Sequence, residues 1–328
     1  MKALNPKEQI KDLLSRGDIE AAIDLFKEVL PGGSPLINDL ILLEGRYHTL
    51  QNQYLAAVIA PDAYLLQSNQ ITAGLLHLLD RWQNDAAELI QLALKSKAKF
   101  LDLGNCSLSA IPDEIEQLTE LEELNLGSVY WDDTRNQFAG SRNEGAANDL
   151  SSERFKGLLK LKKLRKLSVR ACNIRTLEGL DQLKQLHTLS VGQNDIKDIA
   201  PIAAMTNLKV LSLFGNNIID IKPLAALKKV EMLSINDNAV VDLSPLSQLH
   251  DLEELYASGN RIESIGEISA LPKLKTLNLD ANLVKYVEPL AYMASLKTIN
   301  LNSNPIIDCP PEIAFSGDVH LIQTDRKS

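Results

Sequence analysis

The sequence predicts a curved α/β repeat solenoid, with one short parallel strand per repeat, preceded by a small all-α helical bundle. Two observations predict it. Leu164, Leu186, Leu208, Val230, Leu252, Leu274 and Leu296 each open the pattern LxxLxLxxNxI, every 22 residues and without a gap. Residues 1–83, by contrast, carry apolar residues at helical spacing and none of this periodicity. Within a repeat, alternating apolar residues such as Leu211 and Leu213 mark a strand with one buried face and one outward face. A single repeat cannot bury its own apolar face, so the repeats must stack on one another.

Taken in order, Ile10, Leu13 and Leu14 form an amphipathic stripe stopped by Gly17. Asp18 then caps a second helix through Ile19, Ala22, Ile23, Phe26 and Leu30, ended by Pro31, Gly32 and Gly33. A third helix is expected over 36–59 and, after a break at Pro61 and Asp62, a fourth over 63–82, which together make a bundle. Ala86, Leu89, Ile90, Ala93 and Leu94 line one face of a further helix over 84–97, expected to cap the open end of the array. The expected domains are 1–83 and 84–328, with repeats over 98–304 and a C-terminal cap over 305–328.

The 22-residue period is that of a leucine-rich repeat, so the second domain is expected to be a leucine-rich-repeat solenoid, a horseshoe with a parallel sheet on its concave face. About nine repeats are counted, since two irregular ones precede the seven uniform ones. The first runs from Ala98 and is one residue longer. The second keeps Leu121, Leu124 and Leu126, but its expected Asn arrives only at Asn148, which places an insertion over about 128–147. That insertion carries Tyr130, Trp131 and Phe138. A long aromatic-bearing loop in a compact array either touches a partner or folds over the adjacent repeats.

Aligning the repeats by column separates architecture from function. The Leu and Ile positions are core. The column Asn194, Asn216, Asn238, Asn260, Asn282 and Asn304 supplies one amide per turn to backbone groups left unpaired where the strand bends away, and Cys106 and Cys172 stand in the same column. Asp198, Asp220 and Asp242 recur just before the apolar residue of an IxPL turn and read as turn residues, not as a carboxylate pair. Function is expected on the outward third, fifth, seventh and eighth positions. The fifth is small and polar from Ser168 to Ser234 and is broken by Tyr256. Val210, Phe214, Met232 and Tyr256 fall on three neighbouring repeats, with Lys166 and Arg170 on one side and Asn236, Glu254 and Asp280 on the other. This pattern predicts a protein-binding concave face with an apolar centre and a charge gradient around it.

Composition narrows the function classes. A formal charge of −9 opposes nonspecific binding to nucleic acid, which requires a basic face. Residues 1–10 hold no uninterrupted apolar run, so neither signal peptide nor membrane anchor is expected, and a cytoplasmic chain is. No GxxxxGK[ST], HExxH, GxSxG or CxxC occurs, and the five histidines are scattered. Cys309 has no second Cys or His at metal-ligand spacing. No catalytic constellation, cofactor or metal is expected.

Residues 98–313 resemble bacterial leucine-rich repeats of the 22-residue, internalin-like class. The closing NPIIDCPPEI, followed by Gly317 and Ile322, is similar to the end of the array in bacterial Roco-type proteins, in which a GTPase domain can follow. No such domain follows in this sequence, so GTPase activity is not carried over. The N-terminal bundle resembles an effector-associated domain, a death-like helical adaptor of bacterial conflict systems. The resemblance rests on NDLILLEGRY (38–47), AVIAPDAY (57–64), Asn69, Ile71 and LLHLLD (75–80); Gln70 departs from the Arg that tends to follow the Asn. It implies docking to a matching helical domain on an effector protein. The expected function is a non-catalytic adaptor or sensor that binds a protein ligand on the concave face. The alternative is a regulatory subunit of an enzyme such as a phosphatase or GTPase.

Overall fold

The computed structural model describes residues 6–29, 36–81, 86–132, 137–141, 143, 145–151, 155–307 and 320–321. The chain divides into two compact units, Met1–Leu92 and Ala93–Ser328.

The first unit is helical: α1 (Pro6–Ser15), α2 (Ile19–Val29), α3 (Ile37–Leu55) and α4 (Pro61–Arg81). Its core is drawn from all four helices, with Ile10, Phe26, Leu40, Leu75 and Leu79 fully buried. Gly17 takes φ +79, a left-handed conformation that lets α1 reverse into α2. The Asp18 carboxylate then accepts the Ala21 N–H at 3.3 Å, as an N-cap should.

Two helix boundaries differ from the sequence expectation. α3 stops at Leu55 rather than at Ile59, because Ala57 turns left-handed at φ 56 and the Val58 N–H returns to the Gln53 carbonyl at 2.9 Å. This closure satisfies the last carbonyls without a glycine, so composition gave no stop signal. α4 starts at Pro61 rather than at Ala63, because proline fits the first turn of a helix, where its missing N–H has no partner to lose. A fifth helix, α5 (Ala86–Ser96), follows and ends at Lys97, which is left-handed at φ 50.

The second unit is the solenoid. β1 (Phe100–Asp102) and β2 (Glu123–Asn125) open its sheet. The insertion contributes a separate antiparallel hairpin, β3 (Val129–Asp132) and β4 (Gln137–Gly140). The sheet resumes with β5 (Lys166–Ser168), β6 (Thr188–Ser190), β7 (Val210–Ser212), β8 (Met232–Ser234), β9 (Glu254–Tyr256), β10 (Thr276–Asn278) and β11 (Thr298–Asn300). β12 (His320–Leu321) adds a tenth parallel strand that the repeat pattern had not predicted. The register is in step throughout the repeats, so Leu167, Leu189, Leu211, Leu233, Leu255, Leu277 and Ile299 are consecutive partners.

Each turn is completed by a short 3₁₀ segment, such as Ala200–Ala204, Lys222–Ala226 and Ser244–Gln248, each with a proline in its first turn. The recurrent aspartates hold these turns: Asp198, Asp220 and Asp242 accept the N–H two residues on at 2.8, 2.9 and 2.8 Å. The Asn column works between repeats. Asn216 donates to the Val191 and Leu213 carbonyls and accepts the Ile196 N–H, and Asn238, Asn260 and Asn282 repeat this bonding.

Just before that column the chain must bend sharply. The eighth position is left-handed at Asn105, Ala171, Gln193, Gly215, Asp237, Gly259, Ala281 and Ser303, with φ from 52 to 64. Ser128 occupies the same position in the second repeat and does not make the turn; the chain runs on into β3 instead. The insertion therefore begins where a single left-handed residue is missing.

Candidate protein-interaction face

Strand alternation sends Leu167, Leu189 and Leu211 inward and presents the third, fifth and seventh positions on the concave face. Three side chains at its N-terminal side interlock. The Phe214 ring lies against Gly192, where a Cβ would come within 2.4 Å of it. The Arg170 guanidinium stacks on that ring at 4.3 Å from its centroid, and its Nε donates to Gln193 at 3.0 Å. Burial lowers the Arg170 pKa from its ordinary value. A half-buried cation stacked on an aromatic ring is a rigid, weakly hydrated anchor of the sort enriched at interfaces.

The other sequence-predicted residues occupy the same face but make different contacts. Val210, Met232, Asn236, Glu254, Tyr256 and Asp280 are all half-buried. The Tyr256 hydroxyl donates to Glu254 at 2.8 Å, and burial together with this bond pushes its pKa up to about 12. Asn236 accepts the Ser258 N–H at 2.8 Å, which gives it a structural duty across the ladder. Lys166 pairs with Glu123 at 3.1 Å. His187 is half-buried, with its Nδ1 3.0 Å from the Gln185 carbonyl oxygen.

The insertion folds over the first repeats. Tyr130 packs on Phe100 with ring centroids 5.0 Å apart, and the Ser168 hydroxyl donates to the Val129 carbonyl at 2.5 Å. Beyond the hairpin, the Ser141 hydroxyl donates to Asp102 at 3.0 Å and Asn143 donates to the Asp102 and Gly104 carbonyls at 3.0 and 2.8 Å. The backbones of Trp131 and Phe138 pair across the hairpin, while their side chains lie outside the described residues. Asn148 then resumes the column: it donates to the Leu103 and Leu126 carbonyls and accepts the Cys106 and Leu108 N–H groups.

Sequence reasoning missed Gly192, Gln193, Phe100 and the pair Ser141 and Asn143. A signal for the first was available, since Gly104, Gly127 and Gly192 all stand in the seventh column. A Cβ on Gly104 would meet the Gly127 carbonyl oxygen at 2.0 Å, and one on Gly127 would meet the Arg170 backbone at 2.4 Å. The seventh column is thus small where neighbouring turns approach most closely.

Of the cysteines, Cys172 is buried and its thiol is pushed up to about 12 by desolvation. Cys309 lies outside the described residues. Among the described residues there is no group of three or more His, Cys, Asp or Glu side chains placed to hold a metal ion.

The helical unit carries its own exposed apolar surface. Ile41, Leu42, Leu65 and Leu66 are at least half exposed, and α3 and α4 border an open groove of about 670 Å³ lined by Leu42, Arg46, Gln53, Gln67 and Ile71 among others. Among the described residues, no helix is long and apolar enough to cross a membrane.

Residues 5–83 match the family model described as effector-associated domain 11. Residues 184–226, 206–248 and 250–292 match the model described as leucine-rich repeats in two copies. No curated protein matches the chain. Among solved structures it is similar to the internalin inlF of Listeria monocytogenes str. 4b F2365, with 27% identity and TM-score 0.53, over 67% of this chain and 58% of that one. The chain thus spans under two thirds of that relative. Internalin C2 of the same organism matches with 27% identity and TM-score 0.56, over 67% of this chain and 93% of that one. The TLR13 structure, solved in complex with ssRNA13, matches with 22% identity and TM-score 0.54, over 72% of this chain and 34% of that one, a likeness of fold alone. The chain therefore carries an effector-associated domain 11 at its N-terminus, followed by an internalin-like leucine-rich-repeat array.

Proposed function

We propose that this chain is a non-catalytic, cytoplasmic adaptor or sensor that binds a protein ligand on the concave face of its repeats and recruits an effector through its helical domain, as part of bacterial defence signalling. The observation that carries the ligand-binding half is the interlocked Arg170, Phe214 and Gly192, which sets a half-buried cation and an aromatic ring on an otherwise small and polar floor. Met232 and Tyr256 extend it as half-buried neighbours on the next two strands. The charge of −9 favours a protein over a nucleic acid as the ligand.

Recruitment is supported by the matched effector-associated domain and by the apolar side chains left exposed on α3 and α4. The effector is then a protein bearing a matching helical domain. The test is a pull-down with full-length chain and two variants. Phe214→Ala with Tyr256→Ala should lose the ligand and keep the effector, while Leu42→Glu with Leu65→Glu should do the reverse. One partner lost from both variants together would refute the two-ended arrangement.

A further inference from the structure

We infer that Ser190 and Ser212 are hydrogen-bond donors to the backbone of an extended segment of the protein ligand, laid across the concave floor; this rests on the concave-face reading above. Ser168, Ser190 and Ser212 are consecutive partners in the parallel ladder, so their hydroxyls form one row. The first member of the row already does this work within the chain, since Ser168 donates to the carbonyl of Val129, the first residue of strand β3. An extended backbone seated on this column is therefore a contact that the structure contains.

The next two members are left open. Ser190 and Ser212 are only 2% and 3% exposed, and neither hydroxyl has a hydrogen-bond partner among the described residues. A buried hydroxyl without a partner is destabilising, and each such group in a folded protein calls for a reason. Rotation about χ1 between staggered rotamers turns a serine hydroxyl toward the open face without moving the backbone. Aromatic side chains border the pair: Phe214 covers Gly192, two residues beyond Ser190, and Tyr130 lines the same small hollow as Thr188 and Ser190.

The row selects the kind of ligand. A serine hydroxyl is short, so its acceptor must come down to the floor. In a helix the carbonyls are bonded within the helix and stand behind its side chains, whereas a hairpin or edge strand presents free carbonyls at its surface. The partner is thus a protein that offers an extended, hydrogen-bond-deficient backbone, entering where the chain's own hairpin leaves off.

Two measurements on the full chain test this. In thermal melts, Ser168→Ala should lower the midpoint, because it removes the bond to Val129, while Ser190→Ala and Ser212→Ala should leave it unchanged or raise it. A fall for the latter two as large as that for Ser168→Ala would mean that their hydroxyls have structural partners, and would overturn the inference. For binding, a displayed library of disulfide-closed hairpin peptides and a helical library of equal size are selected on the wild-type chain. Binders should come from the hairpin library, weaken about tenfold or more on the Ser190→Ala, Ser212→Ala double variant, and be indifferent to Ser234→Ala. No hairpin binders, or hairpin binders indifferent to the double variant but weakened by Phe214→Ala and Tyr256→Ala, overturn this inference and leave the concave-face reading standing. Binders indifferent to all four changes overturn both.

Discussion

Asn148 donates to the carbonyl of Leu126 at 2.6 Å, so the residue that follows the insertion holds the strand that precedes it. The two are 22 residues apart, whereas the equivalent bond in a regular repeat, such as Asn194 to the Val191 carbonyl, spans 3. The insertion is thus a detour that leaves the repeat and returns to it at the correct column. Asn148 also accepts the Cys106 and Leu108 N–H groups, at 3.2 and 2.8 Å.

Asn148→Ala should therefore cost about 1–3 kcal/mol, because it removes the amide that bonds the Leu103 carbonyl and the Cys106 and Leu108 N–H groups of the first repeat. The expected outcome is a lower urea midpoint together with faster proteolysis within 128–147. A variant as stable as the wild type would show that the insertion is held by its hairpin contacts alone.

The period was legible because stacking requires it: each repeat must offer the same apolar and amide groups to its neighbour, and any shift in spacing would misplace both. The position of Asn148 followed from the same rule. The path of the insertion did not, because Ser141, Asn143 and Tyr130 meet Asp102 and Phe100 across 30 to 41 residues by contacts that no periodicity encodes. The end of α3 was hidden for a different reason, since Ala57 adopts a conformation that the sequence normally signals with glycine. The outward residues could be assigned to a face by alternation, yet the direction in which Phe214 lies depends on the absence of a side chain at Gly192 in the repeat before it.

Gly192→Ala should displace the Phe214 ring, because the new Cβ would stand 2.4 Å from two ring carbons and 3.0 Å from the Phe214 carbonyl oxygen. Overpacking of this sort costs about 1–3 kcal/mol, and moving the ring also removes the surface on which Arg170 stacks. The variant should melt lower than wild type and lose ligand as Phe214→Ala does. Retention of ligand at wild-type affinity would remove the stacked pair from the recognition surface.

Cys172 should resist alkylation in the folded chain. Its thiol is buried, donates to the Leu126 carbonyl at 3.2 Å, and is pushed up to about 12, so the reactive thiolate is scarce at pH 8. Iodoacetamide at that pH, followed by peptide mass spectrometry, should leave Cys172 unlabelled until denaturant is added. Labelling in the native chain would show that the second and third repeats open readily around it.

Tyr256 should give the array a stability that depends on alkaline pH. Its folded pKa is raised from 10.0 to about 12, first by burial and then by its bond to Glu254. The neutral phenol is thus favoured more in the folded state than in the unfolded one. The folded state consequently binds more protons between these values, and the contribution is whole below pH 10 and lost as pH rises toward 12. Absorbance titration of tyrosinate should show a late-titrating component that shrinks by one group in Tyr256→Phe, burial raising Tyr47 as well, and the variant should lose less stability than wild type between pH 10 and 12. A late component unchanged in Tyr256→Phe would mean that the Tyr256 hydroxyl is open to solvent and that its contact with Glu254 does not persist.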